Sequence, residues 1–199
     1  YQGTMYVSFS QLAGLNDTLS ASITKDIGHH GDGHGSKQYA VNYAVPDGNR
    51  TYRLSTYQYS YHQLVFMPEA FRSSGNTRGI EFSVEQVLNR TSRSKTAAVA
   101  KVIHKTRHSY IDDIEIGVQE QHTTALELGL SHRQYSGNTM SDIYLFYRQG
   151  IRGLGATVRS WEGVADNPTT LYKMAGLEGE VQSGVRIGHK QGVYTMRFR

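Results

Sequence analysis

The charged side chains with the most regular spacing are Glu81 and Glu85, Lys101 and Lys105, Glu115, Glu127, and Glu178 with Glu180. Within each cluster the separations are even, so on an extended strand each set shares one face. Glu81 and Glu85 would stand about 13 Å apart along such a strand, too far for a paired-carboxylate mechanism. The sequence contains no Gly-x-Ser-x-Gly, no His-Glu-x-x-His and no phosphate loop. His29, His30, Asp32 and His34 offer imidazole and carboxylate ligands that suit zinc or nickel. Four glycines in the same stretch make ordering it costly, so it reads as a solvated loop and no metal site is assigned. His122 and His132 are ten residues apart, roughly 33 Å on a strand, and cannot act together. This pattern is not that of an enzyme, and no cofactor is implied. Both signs of charge spread among hydroxyls suit a wet wall.

Such a wall needs strands to carry it. From Tyr1 to Ser10 the odd positions are Tyr1, Gly3, Met5, Val7 and Phe9, and the even ones are Gln2, Thr4, Tyr6, Ser8 and Ser10. This period of two gives one apolar and one polar face. Gly14-Leu15-Asn16-Asp17 supplies a turn, and Leu19, Ala21 and Ile23 resume the alternation. A glycine-rich loop at 28–36 precedes a strand at 38–45. Pro46-Asp47-Gly48-Asn49 turns into a Tyr-rich strand at 50–65, followed by a loop at 66–76. Ile80, Phe82 and Val84 then alternate with Glu81, Ser83 and Glu85 over 77–90. A further strand covers 96–110, and Asp112-Asp113 is a turn. One apolar parity then runs from Ile114 to Leu130, as one very long strand or two meeting near Thr123, and the unbroken parity favours one. Shorter alternating runs lie at 143–148, 175–187 and 193–199, with turns at Gly137-Asn138 and 189–192 and a loop at 161–170. That makes about ten strands, none with Pro in its core, and no sustained helical period.

Connections alternate along the chain. Short ones at 14–18, 46–49, 89–95, 137–138 and 189–192 are interleaved with mostly longer ones at 28–37, 66–76 and 161–170. An up-and-down barrel puts every odd connection at one end and every even one at the other, and outer-membrane barrels keep the short turns on one side. The fold class is therefore all-β, an antiparallel transmembrane β-barrel. Met5, Val7, Phe9, Ile80, Phe82 and Val84 are its lipid-facing candidates, and the eight charged residues above are its pore-lining candidates. The tyrosines, with Phe66, Phe71, Phe146 and Trp161, would form girdles at the lipid boundary.

Composition agrees. The 199 residues are 38% hydrophobic, with 14 Tyr, 21 Gly and no Cys. Mean hydropathy is −0.51, and no run reaches the roughly 20 apolar residues of a spanning helix. Absence of Cys excludes disulfides and thiolate sites. The 21 basic and 17 acidic residues are dispersed, with no basic run, so nucleic acid is not an expected partner. The chain opens inside a strand pattern and is still alternating at Arg199, which reads as an internal piece of a longer protein.

Six phrases, in order, give a resemblance. They are YQG…GLNDTLSASITKD (Tyr1–Asp26), YAVPDG (Tyr43–Gly48), the Tyr-rich Tyr57–Gln63, LNRTSRSKT (Leu88–Thr96), SYIDDIEIGVQ (Ser109–Gln119) and LGLSHRQYSG (Leu128–Gly137). Over most of its length the chain resembles the barrel of the two-partner secretion transporters, the hemolysin activator and filamentous haemagglutinin transporter family. The resemblance implies a Gram-negative outer-membrane barrel of about 16 strands, through which an unfolded exoprotein partner of hemolysin or adhesin type is secreted. Residues 1–199 would then form part of that single domain, from its second to about its eleventh strand. The POTRA domains that precede the family's barrel, and its last strands, would lie outside this chain. The family's Val-Arg-Gly-Tyr-like motif has no match here; Gly150-Ile151-Arg152-Gly153 is not one. The implied partners are the exoprotein and outer-membrane lipid, with the transporter a monomer. Two other readings fit the residues alone: a smaller barrel with an adhesin or porin role, and a soluble all-β binding module.

Overall fold

The computed structural model describes residues 1–27, 33–67, 69–156, 171–187 and 190–199. His29, His30, Asp32 and Trp161 lie outside these, and His34 opens a strand. The chain is one antiparallel meander. Its strands are β1 (Gln2–Ser10), β2 (Thr18–Asp26), β3 (His34–Asp47), β4 (Arg50–Met67), β5 (Glu69–Arg90), β6 (Ser94–Ile111), β7 (Ile114–Glu115), β8 (Gln121–Ser136), β9 (Thr139–Ile151), β10 (Lys173–Ile187) and β11 (Lys190–Phe198). Ten of them pair in sequence order, β1 to β6 and then β8 to β11, while the two-residue β7 hangs on β6. Among the described residues β1 and β11 each have one neighbour and do not pair with each other. The ten strands therefore form an open arc and not a closed ten-stranded barrel.

Local chemistry sets the hairpins. Ser136 pairs with Thr139 across Gly137-Asn138, and Gly137 takes a φ of 55°, which a side chain would disfavour. Ile111 pairs with Ile114 across Asp112 and Asp113, with φ of 46° and 65°. Asp is among the few residues that tolerate this left-handed region. The Asp112 carboxylate also accepts from the Arg72 amide at 2.7 Å, tying the turn to β5.

Two expectations fail here. Residues 69–76 belong to β5 and are not a loop: β4 and β5 keep register from Arg50 opposite Gln86 to Met67 opposite Glu69. Ser73, Ser74, Gly75 and Asn76 resemble turn formers, but here their backbone groups pair with β4, so the ladder overrides their turn preference. Nor is 114–136 one strand. A 3-10 turn at Gly117–Gln119 separates β7 from β8, although the apolar parity runs through it.

Strand register sorts the side chains. Met5 faces Ile23, Val7 faces Ala21 and Phe9 faces Leu19. Leu54 faces Phe82, Phe82 faces Val102, Val102 faces Leu126, and Leu130 faces Leu145. This apolar face is open: Met5 is 70% exposed, Leu128 65% and Ile80 54%. On the opposite face Ala97, Ala125, Phe146, Ser83 and Glu127 are buried. Side chains that shelter one another on one face and splay on the other mark a sheet curled toward its polar side. A cavity of about 550 Å³ on that side runs from Arg53 on β4 to Arg197 on β11.

Candidate functional site: the charged concave face

The polar face is assembled from alternate positions of adjacent strands. Glu81 stands opposite Ile103, Ser83 opposite Lys101 and Glu85 opposite Val99. Lys101 stands opposite Glu127 and Lys105 opposite Thr123. Glu127 faces Arg148, and Glu178 and Glu180 face Tyr144 and Asp142. Seven of the eight charged candidates thus share one face. Glu115 does not. It pairs with Tyr110, whose even position in β6 puts it on the opposite face from Lys101 and Lys105, and its carboxylate bonds His108 Nδ1 at 2.7 Å. The parity that seemed to carry Glu115 to Glu127 is interrupted by the 3-10 turn. All six lipid-facing candidates, Met5, Val7, Phe9, Ile80, Phe82 and Val84, fall on the apolar face by the same register.

Glu127 is the hub. Its side chain is fully buried, and its Oε1 lies 2.9 Å from Lys101 Nζ. The Tyr144 hydroxyl donates to Oε1 at 2.7 Å, and Arg148 Nε donates to Oε2 at 2.7 Å. A charge this enclosed needs such a set of donors, because removing a carboxylate from water is expensive. Lys101 Nζ also lies 4.9 Å from the Tyr144 ring centroid, and the Arg148 guanidinium sits 5.3 Å from that of Phe146. Smaller pairs surround the hub: Lys95 with Glu85 at 2.5 Å, Arg133 with Asp142 at 2.7 Å, Arg197 with Glu180 at 2.7 Å and Arg199 with Glu178 at 2.9 Å. The face carries many charges, most of which neutralise a neighbour.

The aromatic residues divide between the faces, which the expectation of boundary girdles did not foresee. Tyr52 and Tyr147 share positions with the apolar side chains. Tyr57, Tyr61, Tyr144 and Phe146 lie on the polar face, each over a glycine of the next strand. A Cβ on Gly79 would come within 2.3 Å of the Tyr57 ring, one on Gly75 within 2.6 Å of Tyr61, and one on Gly129 within 2.6 Å of Tyr144. Glycine lets the rings lie down along the wall. Frequent Gly beside frequent Tyr was the sequence signal for this arrangement, but only cross-strand register reveals the pairing.

The family model described as "Haemolysin secretion/activation protein ShlB/FhaC/HecB" matches residues 1–199. The chain belongs to this family. It is 30% identical over 198 residues to the outer membrane transporter CdiB-2 of Burkholderia pseudomallei, covering 99% of this chain and 34% of that protein. To the hemolysin transporter protein HpmB of Proteus mirabilis it is 24% identical over 147 residues, 72% of this chain and 26% of HpmB. Its fold is similar to the solved structure of CdiB from Escherichia coli, with a TM-score of 0.80, 20% identity, and coverage of 93% of this chain and 34% of that one. CdiB from Acinetobacter baumannii gives a TM-score of 0.78 at 23% identity, covering 99% and 34%. The chain spans about a quarter to a third of the length of these relatives, and its sheet is part of an antiparallel β-barrel.

Proposed function

We propose that this chain forms part of the wall of an outer-membrane pore that secretes a large, unfolded exoprotein in two-partner secretion. In this reading the apolar face meets lipid, the charged face lines the conduit, and the arc contributes to a barrel of about 16 strands acting as a monomer. The observation that carries the reading is the exposed apolar face itself. A belt including Met5, Leu54, Ile80, Leu128, Leu145 and Leu177, each about half exposed or more, runs across the arc, far beyond the apolar patch a water-soluble surface normally shows. The relatives named outer membrane transporters and hemolysin transporter support the export role. The wall has no catalytic task and needs no nucleotide; folding of the exported chain outside would supply the drive.

The outer face also marks the depth of immersion. Along β4, β5, β6 and β8 its continuous apolar run stops at one line through Thr56, Ile80, His104 and Thr124, which are cross-strand neighbours, and apolar side chains return on β4 only near the hairpin tip, at Leu64 and Phe66. Beyond it lie Gln58, Arg78, Thr106 and His122. We place the lipid boundary there, with the ends of β4–β8 standing outside.

Single cysteines test the reading in the full-length transporter, with any cysteine outside these Cys-free 199 residues replaced. At Thr123 and Ser131 a charged thiol reagent should react and a stalled exoprotein should crosslink. At Leu128 and Leu145 it should not react until the membrane is dissolved. Equal labelling at Leu128 and Ser131 in intact membranes would refute the lipid-facing assignment. Labelling as expected with no exoprotein crosslink at any inner position would refute the conduit.

A further inference from the structure

Beyond the charged face, on the opposite side of the sheet, the register of β6 with β8 builds a second cluster. His108, Glu120 and His122 each offer one ligand atom, and these atoms all lie within 4.8 Å of one another. His108 and His122 are far apart in sequence, but Thr106 stands opposite His122 and the antiparallel strands bring the next positions together. The two rings are crossed at 88° with centroids 6.0 Å apart.

Both rings are held from behind. Glu115 Oε1 bonds His108 Nδ1 at 2.7 Å, and the Thr106 hydroxyl lies 3.3 Å from His122 Nδ1. Nε2 is then the ligating nitrogen of each ring. His122 Nε2 is already 2.9 Å from Glu120 Oε1, so a carboxylate and an imidazole converge on the same point. A carboxylate behind a ligating imidazole fixes its tautomer and raises its basicity. Two imidazoles and one carboxylate, with an open fourth position for water, are a donor set of zinc sites. With no thiolate available, imidazole selects zinc, nickel or copper over magnesium or calcium.

We propose that His108, Glu120 and His122 bind one divalent transition-metal ion of the zinc type, with Glu115 and Thr106 orienting the rings. The ion would clasp β6 to the start of β8 and close off the connection of Asp112 to Glu120, including β7 and the 3-10 turn. This use of the residues is independent of the charged face and of export.

The test is titration of the metal-stripped, full-length protein in detergent with Co²⁺, read by visible absorption, followed by displacement with Zn²⁺. One equivalent should bind with a tetrahedral spectrum. Affinity should fall at least tenfold in His108→Ala and in His122→Ala, and about 10–100-fold in Glu115→Gln. A His29→Ala/His30→Ala/His34→Ala variant should bind as the wild type does. Heat-modifiable migration on gels confirms that each variant is folded. As a second readout, Zn²⁺ should slow amide exchange at residues 112–120 in the wild type and not in His122→Gln. No metal uptake by the wild type, uptake unchanged in the His108→Ala/His122→Ala protein, or uptake abolished by the triple loop variant would each overturn the proposal.

Discussion

Glu127 accepts from Lys101, Tyr144 and Arg148 at once. Its replacement by Ala leaves two cations facing each other in a tight part of the wall. Breaking a fully buried pair costs about 3–5 kcal/mol. Lys101 and Arg148 keep 22% and 24% of their side chains wet, so the expected loss is smaller, about 2–3 kcal/mol. It would show as a lower temperature for the gel-mobility change on heating. Glu127→Gln, which keeps the volume, should show a similar loss, and adding Lys101→Met to it should recover most of that; no recovery would mean that the cost is packing and not charge. Asp17 makes a second prediction, at the turn between β1 and β2. Burial pushes its pKa up, but hydrogen bonds from Ala13, its own backbone, Tyr43 and Leu15 outweigh that and hold the carboxyl below its ordinary value. A depressed pKa adds stability that is fully present above the unfolded value of about 3.9 and is lost as pH falls through the folded one. Amide exchange at Ala13 and Leu15 should therefore quicken on acidification below about pH 4, and Asp17→Asn should flatten that dependence.

The alternation that makes β1, β2, β5 and β6 was legible because strands have a period of two and each face meets a different environment. Turns were legible where Gly137-Asn138 and Pro46-Asp47-Gly48-Asn49 carry the required backbone freedom. Beyond the proposed lipid boundary that contrast fades, because polar residues occupy both faces there. Residues 69–76 therefore looked like a loop, and the break at 117–119 was hidden by its parity. The seven charged residues that share a face could be grouped by counting in twos; that Lys101, Tyr144 and Arg148 meet at Glu127 could not, because it depends on which strand pairs with which. The glycines beneath the rings test this level. Gly129→Ala should displace the Tyr144 ring and cost about 1–3 kcal/mol. Gly184→Ala, where the nearest atom to a new Cβ is 3.4 Å away, should cost much less. Leu128→Arg on the apolar face should cost about 2–4 kcal/mol and Thr123→Arg on the charged face much less, if contact with lipid is the cause. Folding yield into vesicles against denaturant measures both.

At the scale of the whole sheet, the two one-sided strands are the weak points. Among the described residues β1 and β11 each present a row of unpaired backbone donors and acceptors, which invites edge-to-edge pairing. The 199-residue chain alone, refolded in detergent, should associate with rising concentration in sedimentation experiments. A strictly monomeric species at all concentrations would mean that these edges meet each other.

The hairpin of β4 with β5 runs eleven residues past Ile80 to Glu69, roughly 36 Å along the strand, whereas β2 ends three residues past Ile23. Across the register Ile23 lies level with Arg78, through Tyr39 and Gln58, so the edge of the described arc steps down from β5 to β2 like the lip of a jug. On the proposed conduit, a polypeptide leaving past this arc would meet a shorter wall at β1 and β2 than at β4 and β5.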